Sequence, residues 1–408
     1  MTKRDLIAKV QDILKEYPRK DVARAVEIVF DSMVEAMKKD DRIEIRGFGN
    51  FTVRTREPRR GRGAVSNPAS RYESHHAVAE DDGWGVLEEP LPPLETTVLP
   101  EPARSVITRN DSPDVPFEQS VNPYRGCEHG CVYCFARPAH AYVNLSPGLD
   151  FETRLFFKQD AAARLREEIS RPRYRCSPIA LGTNTDPYQP IERRYRVTRG
   201  ILELMLECDH PVSIVTKSAL VLRDLDLLSG LARRNLVRVF VSVTTLDDAL
   251  KRRMEPRAAS PRARLAAVGR LAGAGIPVGV MYAPVVPAIN DHELEAVVEA
   301  AARAGAGSVD YILLRLPREV RDLFYEWLDV HFPDRAARVR HRIQEMRGGR
   351  DSDPRFGHRM RGSGPWADLL RSRLAAACRR HGLTGERQPL DCGLFRPPEP
   401  AGGQLALW

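Results

Sequence analysis

The chain has 408 residues, 42% of them hydrophobic, and a formal charge of +8. That length can bury a sizeable core and fits one large domain with a smaller companion. No run of eighteen apolar residues is present, the N-terminus MTKRDLIAKV lacks the order of a signal peptide, and seven unevenly spaced cysteines argue against a secreted disulfide framework. The expectation is a reduced, cytoplasmic protein with no membrane contact. Charge is concentrated at the front: residues 1–62 carry +5 against +3 for the remainder, and seven arginines between Arg42 and Arg62 face two glutamates. Such a patch attracts phosphate backbones, a solvated strand surface being the plainer reading.

Apolar positions at Leu6, Val10, Ile13 and Leu14 predict a helix over 3–16, with Thr2 and Asp5 as a capping box. A second helix is predicted over about 19–39, with Val22, Val26, Val29, Phe30, Met33 and Met37 as its buried stripe. The period then changes to two over 42–46 and 51–56, on either side of Gly47-Phe48-Gly49-Asn50, which reads as a β-hairpin. Residues 1–62, above all RIEIRGFGNFTVRTREPRRGR, resemble the bacterial HU and integration host factor family. The resemblance implies a small α+β segment that dimerises and binds DNA, with two β-ribbon arms wrapping the minor groove. By position it puts Arg46, Arg54, Arg56, Arg59, Arg60 and Arg62 on phosphate, and it implies a homodimer associated with the nucleoid. The sequence departs from the family after Arg62, where Gly63-Ala64-Val65-Ser66 precedes Asn67-Pro68 and no return strand follows.

Residues 80–104 carry Pro90, Pro92, Pro93, Pro100 and Pro102 with seven acidic residues and one arginine. Residues 63–116 are therefore expected to form a Pro-rich acidic connector. From about 117, apolar runs at 178–182, 212–216, 237–243, 278–281 and 311–314 alternate with helical stretches near 159–170, 198–207, 221–234, 261–274 and 291–304. With a first strand at 117–122, this is a repeated β/α unit around a buried parallel sheet, an α/β fold over 117–330. Chemistry gathers at the C-terminal ends of such strands. Residues 331–408 form a basic C-terminal extension. In it Cys378 and Cys392 are expected to be buried, inert thiols. Its helix at 367–381 either closes the barrel bottom or contacts nucleic acid.

Cys127, Cys131 and Cys134 lie within CEHGCVYC, just after the first predicted strand. A structural zinc site normally draws its four ligands from two CxxC pairs, whereas Cys176, Cys208, Cys378 and Cys392 are scattered singly and His129 is poorly placed to close a tetrahedron. Three thiolates suit a cubane cluster with one iron left open, zinc and an inert core triplet being the alternatives. The CxxxCxxC spacing, with Tyr133 before the third cysteine, resembles the radical S-adenosylmethionine signature. The stretches NPYRGCEHGCVYCFARPAHAY, TNTDPYQPIE, VTKS, MEPRAASPRARL and PVVPAIND resemble the spore-photolyase-like branch of that superfamily, over about residues 61–396. GRGAVSNPASRYE is similar to the start of a branch whose substrate is not established, which puts the fusion point close to Arg62.

The resemblance implies a partial, TIM-like (β/α)6 barrel, a [4Fe-4S] cluster on the three cysteines, and S-adenosylmethionine as the ligand of the open iron. It further implies reductive cleavage to a 5′-deoxyadenosyl radical that abstracts a substrate hydrogen, fed by an electron donor of the flavodoxin or ferredoxin type. Thr183, Asn184, Thr185 and Asp186 are expected on the methionyl amino group, Lys217 on its carboxylate and Ser242 on the ribose. Glu255 and Arg257 are expected on cosubstrate or substrate, with a surface salt bridge as the plainer alternative. Asn290 and Asp291 are expected to shape a loop and cap a helix, and Arg315 to meet an acidic substrate group. No residue is singled out as catalytic. The fused front segment makes nucleic acid the expected substrate. The rivals are an architectural DNA-binding protein with an idle barrel, and a radical enzyme on a peptide or small molecule whose front segment is non-functional.

Overall fold

The computed structural model describes residues 3–38, 43–45, 49–51, 61–72, 94–383 and 388–398. The chain divides into two compact units, Met1–Glu57 and Pro58–Trp408. Thr2, Arg46, Arg54, Arg56, Arg59 and Arg60 lie outside the described residues, as do Pro90, Pro92 and Pro93.

In the first unit, helix Lys3–Ile13 is followed by helix Arg19–Lys38. The amide of Gln11 donates to the Tyr17 carbonyl at 2.9 Å and ties the first helix to the turn. Strands Ile43–Ile45 and Gly49–Phe51 pair antiparallel, Ile43 opposite Phe51. The predicted stripe of the second helix is only half used. Val22 and Val26 are buried, but Val29 and Phe30 are 56% and 41% exposed. Periodicity marks an apolar face correctly; it does not say that the covering surface belongs to the same chain.

The second unit is built on six parallel strands that pair in chain order: Gln119–Val121, Ile179–Leu181, Val212–Thr216, Val237–Ser242, Val278–Val285 and Ser308–Leu313. Helices Ala161–Ile169, Val197–Glu207, Leu225–Ala232, Pro261–Gly273 and Leu294–Arg303 lie between successive strands. The strands read as continuous apolar runs because both faces are covered: Leu181, Val212, Ile214, Val239, Val241 and Leu313 are fully buried in one core. The sheet stays open. Strand Ile107–Arg109 adds antiparallel to the first strand, while the Leu313 amide donates to the Met360 carbonyl at 3.0 Å. Asp114 joins the two sides, accepting from the Gly357 amide at 2.6 Å and from Arg359.

The expected connector is largely part of this unit. Thr97–Pro100 pairs parallel with Arg154–Phe157, which pairs antiparallel with Tyr124–Arg125. Within it, Glu101 takes the Arg125 guanidinium at 3.0 Å. The expected boundary at 330 falls inside helix Glu319–His331, which packs with Pro333–Met346 through Trp327, Val339 and Ile343. Helix Pro365–Arg380 does not close the barrel bottom. It packs beside Leu294–Arg303, where Arg373 forms a two-pronged pair with Glu295 at 2.8 and 2.6 Å. Instead, residues 388–398 lie near the strands' N-terminal ends, with the Arg396 amide on the Cys208 carbonyl at 2.9 Å and Phe395 against Tyr174 and His210. Cys392 is beside Cys176 in this region, and both Cys378 and Cys392 are partly rather than fully buried.

Burial pushes the rings of His140 and His210 down from 6.5 to about 4. The unfolded chain binds protons on these rings near 6.5 while the folded chain resists, so their contribution is complete above about pH 6.5 and is lost as pH falls towards 4. Urea midpoints should therefore drop between pH 7 and pH 5, and His210→Gln should flatten that slope.

Candidate active site

The three cysteines follow the first barrel strand on a loop that two glycines shape. Gly126 and Gly130 have φ of +73° and +67°. A Cβ at Gly126 would meet the Phe151 carbonyl at 2.9 Å, and one at Gly130 would meet a Glu152 carboxylate oxygen at 2.7 Å. The Cys127 amide donates to Phe151 at 2.9 Å, that of Val132 to Met254 at 3.1 Å, and that of Cys134 back to Cys131 at 3.2 Å.

A buried ion pair holds this loop. Arg137 is fully buried; its Nε donates to the Cys131 carbonyl at 2.9 Å, its Nη1 to Gly148 at 2.8 Å, and its Nη2 to Glu152 at 2.5 Å. The same carboxylate accepts from the Gly63 and Ala64 amides at 3.0 and 2.8 Å. Gly63 lies so close that a Cβ there would fall 1.7 Å from the Gly130 carbonyl oxygen. Arg62, expected on phosphate, is 8% exposed, with its guanidinium on the carbonyls of Glu152 and Leu94 and on the Thr96 hydroxyl. It is a structural arginine of the second unit. Asn67 likewise exchanges hydrogen bonds with Asp150 at 3.1 and 3.0 Å, so Asn67-Pro68 belongs to this unit and not to an arm tip.

Burial pushes all three thiols up, Cys131 to about 12; at Cys127 the negative charge of Asp186 adds to it, then the other two cysteines. Three neighbouring thiolates in such a pocket require a compensating cationic centre, and the donor set fits an iron–sulfur cluster. Among the described residues, no three His, Cys, Asp or Glu side chains converge as a single ion requires.

The expected cosubstrate residues divide into two groups. Glu255 is fully buried and fully engaged: it accepts from Tyr133, from the Thr244 hydroxyl at 2.5 Å, and from Arg264. Burial opposes its ionisation, but Arg264 and Lys217 outweigh that and hold the carboxyl at about 2. It therefore holds Tyr133 within the cysteine loop through Oε1 and pairs Arg264 through Oε2. Asp186 behaves the same way, accepting from the Thr216 hydroxyl and the Lys217 amide, both at 2.7 Å, and pairing with His129 at 3.3 Å. The Thr185 hydroxyl is turned to the Tyr124 carbonyl at 2.8 Å. Without cosubstrate, these three side chains are occupied by partners within the protein. The second group remains available. Thr183 and the Asn184 backbone rest on the Asn122 side chain at 3.3 and 3.0 Å, leaving the exposed Asn184 amide free of described partners. The Lys217 ammonium lies 5.8 Å from the Tyr133 ring centroid; burial opposes its charge, but Cys131 and Glu255 outweigh that and raise its pKa. Ser242 is buried at the end of the fourth strand, its carbonyl taken by Arg264 at 3.0 Å.

Arg257 pairs with Glu128 at 2.6 Å, the salt bridge the plainer reading expects. Asn290 stands at the N-cap of the short helix Asp291–Glu293, but its side chain is turned elsewhere; fully buried, it bonds the Thr244 and Pro284 carbonyls at 2.7 and 3.0 Å and the Val286 amide at 2.6 Å, folding the PVVPAI loop. Sequence reasoning missed Arg137, Glu152, Thr244 and Arg264 as site-forming residues. Two of them stood inside quoted motifs, in CFARP and SPRARL. A surface cavity of about 890 Å³ is lined by residues 109–112 and 115–118 with Ser177 and Pro178, near the N-terminal ends of the first two strands; no residue of the cysteine loop lines it.

A family model described as the radical SAM superfamily matches residues 121–301. An uncharacterized protein of Mycobacterium tuberculosis is 38% identical over 287 residues, covering 70% of this chain and 79% of that protein. The chain belongs to the radical S-adenosylmethionine superfamily. A second model, bacterial DNA-binding protein, matches residues 1–78 of this radical SAM chain. Integration host factor subunit beta of Dechloromonas aromatica is 46% identical over 70 residues, 17% of this chain and 70% of that one. A solved spore photoproduct lyase, complexed with dinucleoside spore photoproduct, aligns with a TM-score of 0.51 at 16% identity over 70% of this chain and 79% of the other, a likeness of fold. The chain is thus a radical SAM enzyme carrying an HU/IHF-like front segment.

Glu152→Gln removes the counter-charge of the buried Arg137. The expected loss is about 3–5 kcal/mol in urea unfolding, and Arg137→Met in the same chain should recover much of it.

Proposed function

We propose that Cys127, Cys131 and Cys134 hold a [4Fe-4S] cluster with S-adenosylmethionine on its open iron, and that the substrate is nucleic acid. The observation that carries the cluster is the donor set: three cysteines, two buried and Cys134 partly so, close enough to feel one another's charge on a single glycine-shaped loop after the first strand. When bound, the cluster supplies the single electron for reductive cleavage of S-adenosylmethionine. Lys217 offers a cation to the methionyl carboxylate, the Asn184 amide and Thr183 hydroxyl offer acceptors to its amino group, and Ser242 offers a hydroxyl to the ribose. Glu255 and Asp186 hold Tyr133, His129 and the Lys217 backbone in place, and the packed loop keeps water from the reacting centre. An electron donor of flavodoxin or ferredoxin type completes the reaction.

The substrate class rests on the HU/IHF-like segment in the same chain, which raises the local concentration of nucleic acid at the barrel. The exposed Val29 and Phe30 support dimerisation of that segment with a second copy. No described helix is long and apolar enough to cross a membrane, and the working location in this reading is the cytoplasm at the nucleoid.

Oxygen-free purification or reconstitution should give brown protein with about four irons per chain, and dithionite should release 5′-deoxyadenosine. Colourless or zinc-filled protein that resists reconstitution overturns the cluster. Deuterium transferred from labelled DNA into 5′-deoxyadenosine supports the substrate class; transfer from a peptide or small molecule alone removes it.

DNA affinity should fall steeply with salt, the slope of log K against log[salt] being about −0.9 per phosphate contact. Replacing Arg54, Arg56, Arg59 and Arg60 together by alanine should make it shallower. An unchanged slope removes the front segment as the DNA-binding element.

A further inference from the structure

The sixth barrel strand ends at Leu313, and Arg315 follows it on the side where the strands' C-terminal ends lie. Its guanidinium carbon is 5.2 Å from the centroid of the Phe135 ring. Phe135 is the residue after Cys134, and it is 43% exposed. An exposed aromatic ring beside a cation thus borders the cysteine loop directly.

The charge on Arg315 is not neutralised locally. The two fully buried arginines of the site each have a carboxylate, Glu152 for Arg137 and Glu255 for Arg264. Arg315, partly buried, has no carboxylate within ion-pair distance and no oxygen acceptor for its guanidinium among the described residues. Its side-chain hydrogen bond is a weak one, from Nη1 to the Met360 sulfur at 3.5 Å. Asp114 is near enough to be felt, but its oxygens already accept from the Gly357 amide and from Arg359. Arg359 and Arg347 are close enough to repel Arg315, and the Arg347 guanidinium donates to the carbonyls of His358 and Leu314, at 2.7 and 2.9 Å. Burial, with these two arginines, brings the Arg315 pKa down to about 10. A desolvated cation among cations is a costly arrangement that an anion relieves, and a guanidinium beside an aromatic face fits an anion carrying a planar ring.

We propose that Arg315 and Phe135 form a substrate subsite of the barrel, in which the guanidinium takes a phosphodiester of a nucleic-acid strand and the Phe135 ring stacks on an adjoining base. The assignment rests on nucleic acid being the substrate, and it adds which chemical groups are read and by which residues. The phosphate is held by charge, the base by its π-face, and neither contact reads a sequence.

The test uses the full chain and two ligands: thymidylyl-thymidine, which has one charged phosphodiester, and its uncharged methylphosphonate analogue. Binding is measured by equilibrium dialysis. In the wild type, the methylphosphonate should bind about tenfold or more weakly. Arg315→Met should weaken the phosphodiester ligand by a similar factor and leave the methylphosphonate unaffected. Phe135→Ala should weaken both ligands alike, by about tenfold. Equal binding of the two ligands by the wild type overturns the subsite without recourse to any variant. So does an absence of binding at millimolar ligand, or an equal effect of Arg315→Met on both. Reductive cleavage of S-adenosylmethionine by the wild type without dinucleotide reports on the radical reading separately. Charge-dependent binding without cleavage keeps the subsite and removes that reading; cleavage with charge-independent binding removes the subsite alone.

Discussion

Arg137 and Glu152 meet with both side chains fully buried, and the cysteine loop hangs on that pair. The loop forms neither helix nor strand and has few backbone bonds of its own, among them Gly130 to Cys127 at 3.3 Å and Cys134 to Cys131 at 3.2 Å. Arg137 supplies the missing anchorage by holding the Cys131 carbonyl and the turn at Pro147–Gly148, while Glu152 gathers the segment that begins at Arg62. Either charge alone would be a large penalty in the interior; together, with every oxygen and donor matched, they fix a backbone geometry that apolar packing could not specify.

The same economy of charge separates support from reach. Glu255, Asp186, Arg264 and Arg137 are saturated by partners and serve as the frame. Lys217, the Asn184 amide and Arg315 retain free donors, and they border the cysteine loop from the second, third and sixth strands. A parallel barrel makes this division natural, since its strands end together and deliver side chains from distant parts of the chain to one face.

The barrel was legible because its strands are buried on both sides and so read as unbroken apolar runs, and the cysteine triplet because its spacing is unusual for a chain with so few thiols. What escaped depends on partners remote in sequence. Arg62 and Arg137 look like surface arginines until Glu152 is placed beside them, and the sequence does not announce that Tyr133, Thr244 and Arg264 gather on Glu255. The proline-rich stretch hid the strand Thr97–Pro100, whose pairing with Arg154–Phe157 no local pattern announces. On the second helix of the front unit the pattern was right and the inference of burial wrong, because Val29 and Phe30 present their apolar side outside the single chain.

The contact of Gly63 with Gly130 also fixes where this chain can be divided. The DNA-binding family model runs on to residue 78, yet Arg62, Gly63, Ala64 and Asn67 are already structural parts of the enzyme. A recombination joint placed after them would give the graft a longer arm and take from the catalytic body the strap that closes its own cysteine loop. A cut upstream of Arg62 keeps that strap, and the hydrogen-bonded Glu152 carboxylate that holds it, with the body whose cysteine loop it supports.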